Sequence, residues 1–419
     1  MQRTIITNVK IFDGTNARLY PGEVEIVGDR ISRVVSGTGQ KLPRAEQKLV
    51  DGGGATLMPG LVNSHGHLTY PAVTTLEEIG QMPVEENLLE AVRNAKLVLD
   101  LGFTTVISGA ASKPRLDIVL RNEINAGLIP GPRILAASPE MTVSGGLADG
   151  ARWEREIPAN GLVGNSPNEF RRLVREMVRE GVDLIKFNNS GDSFCYPLAE
   201  SYTNPMTADE VAAICETTLN LGRRLAAHAH ADSSVAQCIR HGVEFIYHAT
   251  FITDPTVEAL ERVKDKHFVT PAFGLRYNIH FESADYGITE EISESIGNKR
   301  EFDATIEVVN KLREADIKVL PFGDYGFKMI PLGTDARDLQ HFVKYFGYQP
   351  WEALRAATAY GGEAYKVDKV GQIKPGYLAD ILLIDGDPIA DLSLLLDQKK
   401  FLMIMKGGQT HKELPAVAS

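Results

Sequence analysis

The sequence predicts an α/β fold, a (β/α)8 TIM barrel carrying a small β-sandwich domain formed by both chain ends. Three observations lead there. The middle of the chain alternates amphipathic helices with short, nearly all-apolar strands. The side chains able to do chemistry fall where those strands end. Both chain ends are strand-rich in a way the middle is not.

The N-terminal segment carries "RTIITNVKIFDG", "GEVEIVGDRISRVV" and "KLVDGGGATLMPG", short apolar alternations broken by Gly, Asp and Asn. Such runs read as strands joined by turns. The C-terminal "GQIKPGYLADILLIDGDP" and "FLMIMKGGQT" repeat the pattern. The expected division is therefore 1–58 plus 366–419 as a composite β-sandwich domain, with 59–365 as the barrel.

In the middle, "VEENLLEAVRNAKLVLDLG" has apolar positions at helical spacing and stops at Gly102, a residue suited to the left-handed position after a helix. The β-branched "FTTVIS" follows. The beat recurs as "NEFRRLVREMVREG" before "VDLIKFN", "ADEVAAICETTLNLG" before "RRLAAHAH", and "DSSVAQCIRHG" before "VEFIYHA". It continues as "DPTVEALERVKDK" before "HFVTPAF" and "FDATIEVVNKLREAD" before "IKVLPFGD". Strands this short and apolar are covered on both faces, as in a parallel sheet. A closed barrel or a doubly wound open sheet fits. No GxGxxG or Walker A motif follows the first strand, which weighs against a nucleotide-binding open sheet.

Of 419 residues, 43% are hydrophobic and 24% charged, the balance of a globular chain with a sizeable core. The net charge of -11 argues against general affinity for nucleic acid or an anionic membrane, since both need a basic face. The N-terminus shows no apolar signal region, and no apolar run is long enough to span a bilayer. Cys195, Cys215 and Cys238 are an odd set without CxxC spacing and read as reduced thiols of a cytoplasmic protein.

The polar residues of the alternation fall at strand ends. His65 and His67 follow "ATLMPGLV", Lys186 sits in "LIKFNN", His228 and His230 end "LAAHAH", His248 ends "FIYHA" and Asp324 ends "LPFGD". In a barrel the active face is built from those ends. Side chains two apart on a strand point the same way, so His65 and His67 share a face. Several imidazoles with a carboxylate suit Zn, Mn, Co or Fe. Each residue has an ordinary reading: His248 as a hydrogen-bonded core histidine, Asp324 as a turn residue. Lys186 is harder to place, because an unpaired buried ammonium is costly. The joint pattern carries the metal reading.

The segments "MPGLVNSHGHL", "LGFTTVI", "GVDLIKF", "AAHAHADSSVAQCIRHGVEFIYHAT", "KVLPFGD" and "KVGQIKPGYLADILLIDGDP" resemble the amidohydrolase superfamily, in its imidazolonepropionase and Xaa-Pro dipeptidase-like branch. The resemblance implies two divalent metal ions at the barrel mouth, zinc first. It implies His65 and His67 on the more buried ion and a carboxylated Lys186 bridging both. His228 and His248 would take the second ion, and Asp324 would bind the first and act as acid/base. His230 would meet substrate. A binuclear amidohydrolase is then expected, cleaving an amide, peptide-like, urea or carbamate C–N bond by attack of a hydroxide bridging the ions. The alternatives are a cyclic-amide hydrolase or deaminase of imidazolonepropionase type, which lacks the strand-four lysine, and an inactive scaffold. The resemblance also implies self-association.

The chain departs from relatives in four places. "ISGAA" stands for an "RDAGG"-type stretch, "FGD" for "GTD", and "YHA" for "EHG". In "SGGLAD", Leu147 stands where relatives tend to carry a histidine that holds a substrate carboxylate. A small, rather apolar substrate is therefore expected, with Leu147, Tyr277, Tyr325 and His280 as candidate contacts beside His230. Phe194, Tyr202 and Phe273 share their candidate mouth loops.

Overall fold

Alternation at the N-terminus buries Val9 and Ile11 while Asn8 and Lys10 face water, so the first segment pairs as a sheet with one covered face. The computed structural model describes residues 3–37, 39, 41–44, 48–151, 153–154, 160–195 and 199–413. Both extremes of the expected end unit, residues 1 and 419, lie outside them. The first strands are β1 (Arg3–Ile11), β2 (Tyr20–Val27), β3 (Arg30–Ser36), β4 (Lys48–Asp51) and β5 (Thr56–Pro59).

The middle forms two parallel sheets. One holds β6 (Leu61–Gly66), β7 (Phe103–Ser108) and β8 (Arg133–Leu135) in that order. The other is built from β9 (Met141–Thr142), β10 (Leu162–Val163), β11 (Leu184–Asn188), β12 (Arg224–Ala231), β13 (Phe245–Phe251) and β14 (Phe268–Thr270). Its order is β10-β9-β11-β12-β13-β14. A parallel bridge from Ala137 to Leu184 connects the two sheets. Helices alternate with the strands, among them Val84–Asp100, Pro167–Glu180, Ala208–Asn220, Asp232–His241 and Asn298–Glu314. Their apolar stripes, such as Phe170, Leu173, Val174 and Met177, pack into the large core with Ile185, Phe187 and Ile246. The arrangement is TIM-barrel-like α/β. The helix Val84–Asp100 ends as expected, with Gly102 at φ +82°.

The last expected strand is a correction. "IKVLPFGD" contributes only a bridge, Val319 to Val269. Phe322, Gly323 and Asp324 have φ of 76°, 138° and 59°, and a ladder cannot continue through left-handed backbone. Among the described residues no ladder joins this segment to β6.

The C-terminal strands are β15 (Ile381–Ile384), β16 (Phe401–Lys406) and β17 (Gln409–Glu413). They join the N-terminal strands in one eight-stranded sheet, β17-β16-β15-β5-β1-β2-β3, with β4 on β1. The contact between the two ends is antiparallel, Leu57 opposite Leu383. Strand alternation sends Leu382 and Ile404 into the large core. Ile381, Leu383, Met403 and Met405 pack instead with Ile6, Val24 and Ile26. The buried carboxylate of Asp380 binds Arg133 at 2.9 and 3.1 Å, which fixes the start of β8 to this sheet.

Candidate active site

The strand ends converge on a cavity of about 40 Å3 lined by His67, Lys186, His228, His248, Asp324 and Glu140, with Tyr70, Leu147, Leu275 and Phe327. Leu76 and Phe194 also line an outer chamber of about 460 Å3, which adds Ile279, Tyr286, Ile288 and Ile296.

On one side, β6 delivers His65 and His67 to Asp324. Both Nε2 atoms approach Asp324 Oδ1, at 3.3 and 3.2 Å. His67 Nδ1 faces the Ala110 carbonyl at 3.3 Å and Nε2 faces Asp324 Oδ1 at 3.2 Å; both partners are acceptors, so the neutral ring donates to only one of them. The His65 ring stacks on Tyr247 at 3.6 Å and 8°, and neither of its buried nitrogens has a hydrogen-bond partner. Burial lowers its pKa well below the usual imidazole value, with Asp324 opposing. Burial pushes the Asp324 carboxyl up, but the His67 hydrogen bond and the nearby Lys186 ammonium outweigh it and keep the group ionised.

On the other side, β12 and β13 supply three imidazoles. His228 Nε2 lies 3.0 Å from the Gly191 carbonyl. His248 stands 3.8 Å from Asp324 Oδ2, and its Nδ1 is buried without a partner. Burial lowers the pKa of His228 and His248, so the pocket holds them neutral. His248, Ala249 and Asp324 all have positive φ, so backbone strain gathers at this face. Lys186 sits in the middle of β11, 1% exposed, with Nζ 3.1 Å from Glu140 Oε1.

This donor set fits divalent cations. Imidazole nitrogens and a carboxylate oxygen converge on one cavity, and two buried histidines keep orphaned nitrogens. Two clusters, His65–His67–Asp324 and His228–His230–His248, have ligand atoms within 4.8 Å of one another. A third, Asp192–His230–Glu301, already holds a cation: Arg276 lies 2.7 Å from Asp192 and 2.8 Å from Glu301.

Four expected substrate contacts are corrected. His230 lies behind the cavity, with Nδ1 2.8 Å from Thr250 Oγ1 and Nε2 3.1 Å from Asp192. Tyr277 and His280 lie on the helix Phe273–Phe281 but face away from the cavity: Tyr277 packs on His341 and Tyr345, and His280 faces Ser293. The buried Tyr325 hydroxyl donates to Asp338 at 2.9 Å. Leu147 and Phe194 do line the cavity, whereas Phe273 packs in the core and Tyr202 stacks with Arg300. Sequence reasoning missed Glu140, Asp192, Arg276 and Tyr70. Asp192 had a signal: it follows "LIKFNN" in "SGD", as Asp324 ends "LPFGD".

A family profile described as the amidohydrolase family matches residues 56–411. The chain belongs to that family. This amidohydrolase is 25% identical over 307 residues to an ochratoxinase of Aspergillus niger, an alignment covering 69% of this chain and 62% of that protein. It therefore spans less than two thirds of that relative's length. It is 24% identical over 388 residues to an imidazolonepropionase of Cutibacterium acnes, covering 86% of this chain and 82% of that one. Its fold matches the crystal structure of an Xaa-Pro dipeptidase with bound methionine at TM-score 0.83 and 26% identity, over 98% of this chain and 100% of the other. These relatives agree with the branch that the motifs resemble.

Proposed function

We propose that this amidohydrolase is a binuclear metal-dependent hydrolase of a C–N bond in a small, rather apolar amide, peptide-like compound, urea or carbamate. The observation that carries the reading is the convergence of His65, His67 and Asp324 opposite His228 and His248, with Lys186 beneath them in the same cavity. His65, His67 and Asp324 would hold one ion, and His228 and His248 the other. Lys186 carboxylated on Nζ would bridge them, since carboxylation turns a cation into a ligating anion. Divalent ions there, zinc first, would acidify a water and polarise the substrate carbonyl.

The chain's own groups do the rest. Asp324, kept ionised by its neighbours, accepts the proton of the attacking water and hands it to the leaving nitrogen. Leu147, Leu275, Phe327 and Phe194 exclude water around the scissile bond, and the outer chamber takes the apolar remainder of the substrate. Lys186 weighs against the single-metal deaminase alternative, and the full donor set weighs against an inactive scaffold.

The same reading closes the barrel through Asp324 and its histidine contacts rather than a ladder. It treats 1–58 with 366–419 as a composite β-sandwich domain, supported by that region's own apolar core. It makes the chain a cytoplasmic, self-associating enzyme; the three buried free cysteines agree with a reducing compartment. Among the described residues no helix is long and apolar enough to cross a membrane.

The test is a panel of dipeptides, N-acyl amino acids, aryl amides and aryl ureas, run with and without chelator. Turnover of an apolar amide or urea, abolished by chelation and restored by Zn(II), is expected. Cleavage that survives exhaustive chelation would overturn the metal-dependent reading.

A further inference from the structure

On the histidine side, reaching the cavity wall through Asp192, lies a buried charge network that the proposed chemistry does not use. Asp192 Oδ1 accepts from Phe194 N at 2.9 Å and from Ser193 Oγ at 3.3 Å. Its Oδ2 accepts from Arg276 Nη2 at 2.7 Å and from His230 Nε2 at 3.1 Å, and lies 3.6 Å from His228 Nε2. Arg276 is anchored in turn by Glu301 at 2.8 Å and by Ser193 Oγ at 2.9 Å. Asp192, His230, Arg276 and Glu301 are each no more than 2% exposed. A lone carboxylate there would be costly; the bound guanidinium makes it tolerable and leaves it one orientation.

Consequences for the imidazoles follow from donor geometry. His228 faces the Gly191 carbonyl with Nε2, so Nε2 carries the proton and Nδ1 is the free lone pair. Gly191 precedes Asp192, so holding one carboxylate also holds that carbonyl. His230 Nε2 lies 3.1 Å from Asp192 Oδ2 and 3.4 Å from Arg276 Nη2; the nearer acceptor places the proton on Nε2, Nδ1 then accepts from the Thr250 hydroxyl, and neither nitrogen is left for a ligand. Its ring lies parallel to His248 at 4.2 Å and 10°, a rigid floor that keeps His248 from swinging. Outer partners of this kind fix ring orientation and tautomer in metal sites.

We infer that the Asp192–Arg276 pair is a positioning clamp, fixing the Nε2–H tautomers of His228 and His230 so that His228 Nδ1 and the His248 ring face the cavity. Only the role given to His228 and His248 rests on the proposed function; the tautomers do not.

The experiment uses the full chain labelled with 15N-histidine. In the metal-free wild type, long-range proton–nitrogen spectra are expected to show single Nε2–H tautomers for both residues. Asp192→Asn keeps the side-chain shape and leaves Arg276 paired to Glu301. It is expected to mix those tautomers and to weaken the weaker-held of two Zn(II) ions by about 10–100-fold, leaving the tighter one in place. Wild-type tautomers with unchanged Zn(II) affinity would overturn the clamp. If Asp192→Asn does not fold by circular dichroism, Arg276→Lys carries the same readout: a mixed His230 tautomer is expected, and a wild-type spectrum overturns the inference. A wild type that binds no Zn(II) yet shows the fixed tautomers would sink the proposed function and leave the clamp standing.

Discussion

The two halves of the cavity are held in opposite ways. On the His65–His67 side the imidazoles lean on Asp324 itself, and His65 has no hydrogen-bond partner at either nitrogen. On the His228–His230–His248 side, two of the three rings are tied outward, to Gly191, Asp192 and Thr250. The first half is short of partners until something with positive charge arrives. The second half is preorganised by a buried network, Asp192 at the cavity wall with Arg276 and Thr250 outside it. The difference predicts that perturbing the first half acts directly on binding and chemistry, while perturbing the second acts through orientation.

The largest effect is expected from Asp324→Asn. Turnover should fall about 10²–10⁴-fold, the range for a lost acid/base group, with part of the metal retained in elemental analysis. Full activity with metal retained would remove Asp324 from proton transfer. Next comes a pair of alanine substitutions. A Cβ at Gly109 would meet His65 Cδ2 at 2.3 Å and His67 Nε2 at 2.8 Å. One at Gly191 would meet the backbone oxygens of Ala199 and Glu200, both at 2.5 Å. Gly109→Ala should therefore release one Zn(II) per chain with a small change in Tm. Gly191→Ala should lower Tm and metal affinity together, and equal behaviour of the two variants would erase the contrast.

A smaller effect is expected with pH. Burial lowers His65, His228 and His248, and takes His230 down to about 3. As pH falls below the unfolded value near 6.5, the unfolded chain gains protons that these rings refuse, so metal-free stability is complete above that pH and lost below it. Glu301 and Asp335, pushed up to about 7 chiefly by burial, act in the opposite sense, but the histidines outnumber them. Thermal melts of chelator-treated protein should show Tm dropping between pH 6.5 and 5; a rising Tm would contradict the neutral histidine cluster. The smallest change is Leu147→His, which adds a hydrogen-bonding group to the cavity wall. KM for N-acyl amino acids should fall severalfold, for ~1 kcal/mol, with little change for uncharged amides.

Legibility in the sequence followed the same divide. His65 and His67 come at the end of β6, and Lys186, His228 and His248 lie on readable strands, so local pattern and resemblance reached them. The helix–strand beat was likewise local and readable. Asp192, Arg276 and Glu301 are brought together across more than 80 positions, and no spacing encodes such a contact. Tyr277 and His280 misled for a related reason. Their segment reads as a mouth loop, but it folds as a helix whose apolar face turns Tyr277 toward His341 rather than the cavity. The last strand failed because left-handed backbone at Phe322 and Asp324 is a tertiary demand of the site, invisible in a β-branched run.

The most direct measurement is the divalent metal content of the chain purified with bicarbonate and zinc, taken with electron density at residue 186. Two ions per chain, with a carboxyl group on Lys186 Nζ between them, is the expected result. A single ion, or an unmodified Lys186 still paired to Glu140 in the zinc-loaded protein, would contradict the binuclear reading.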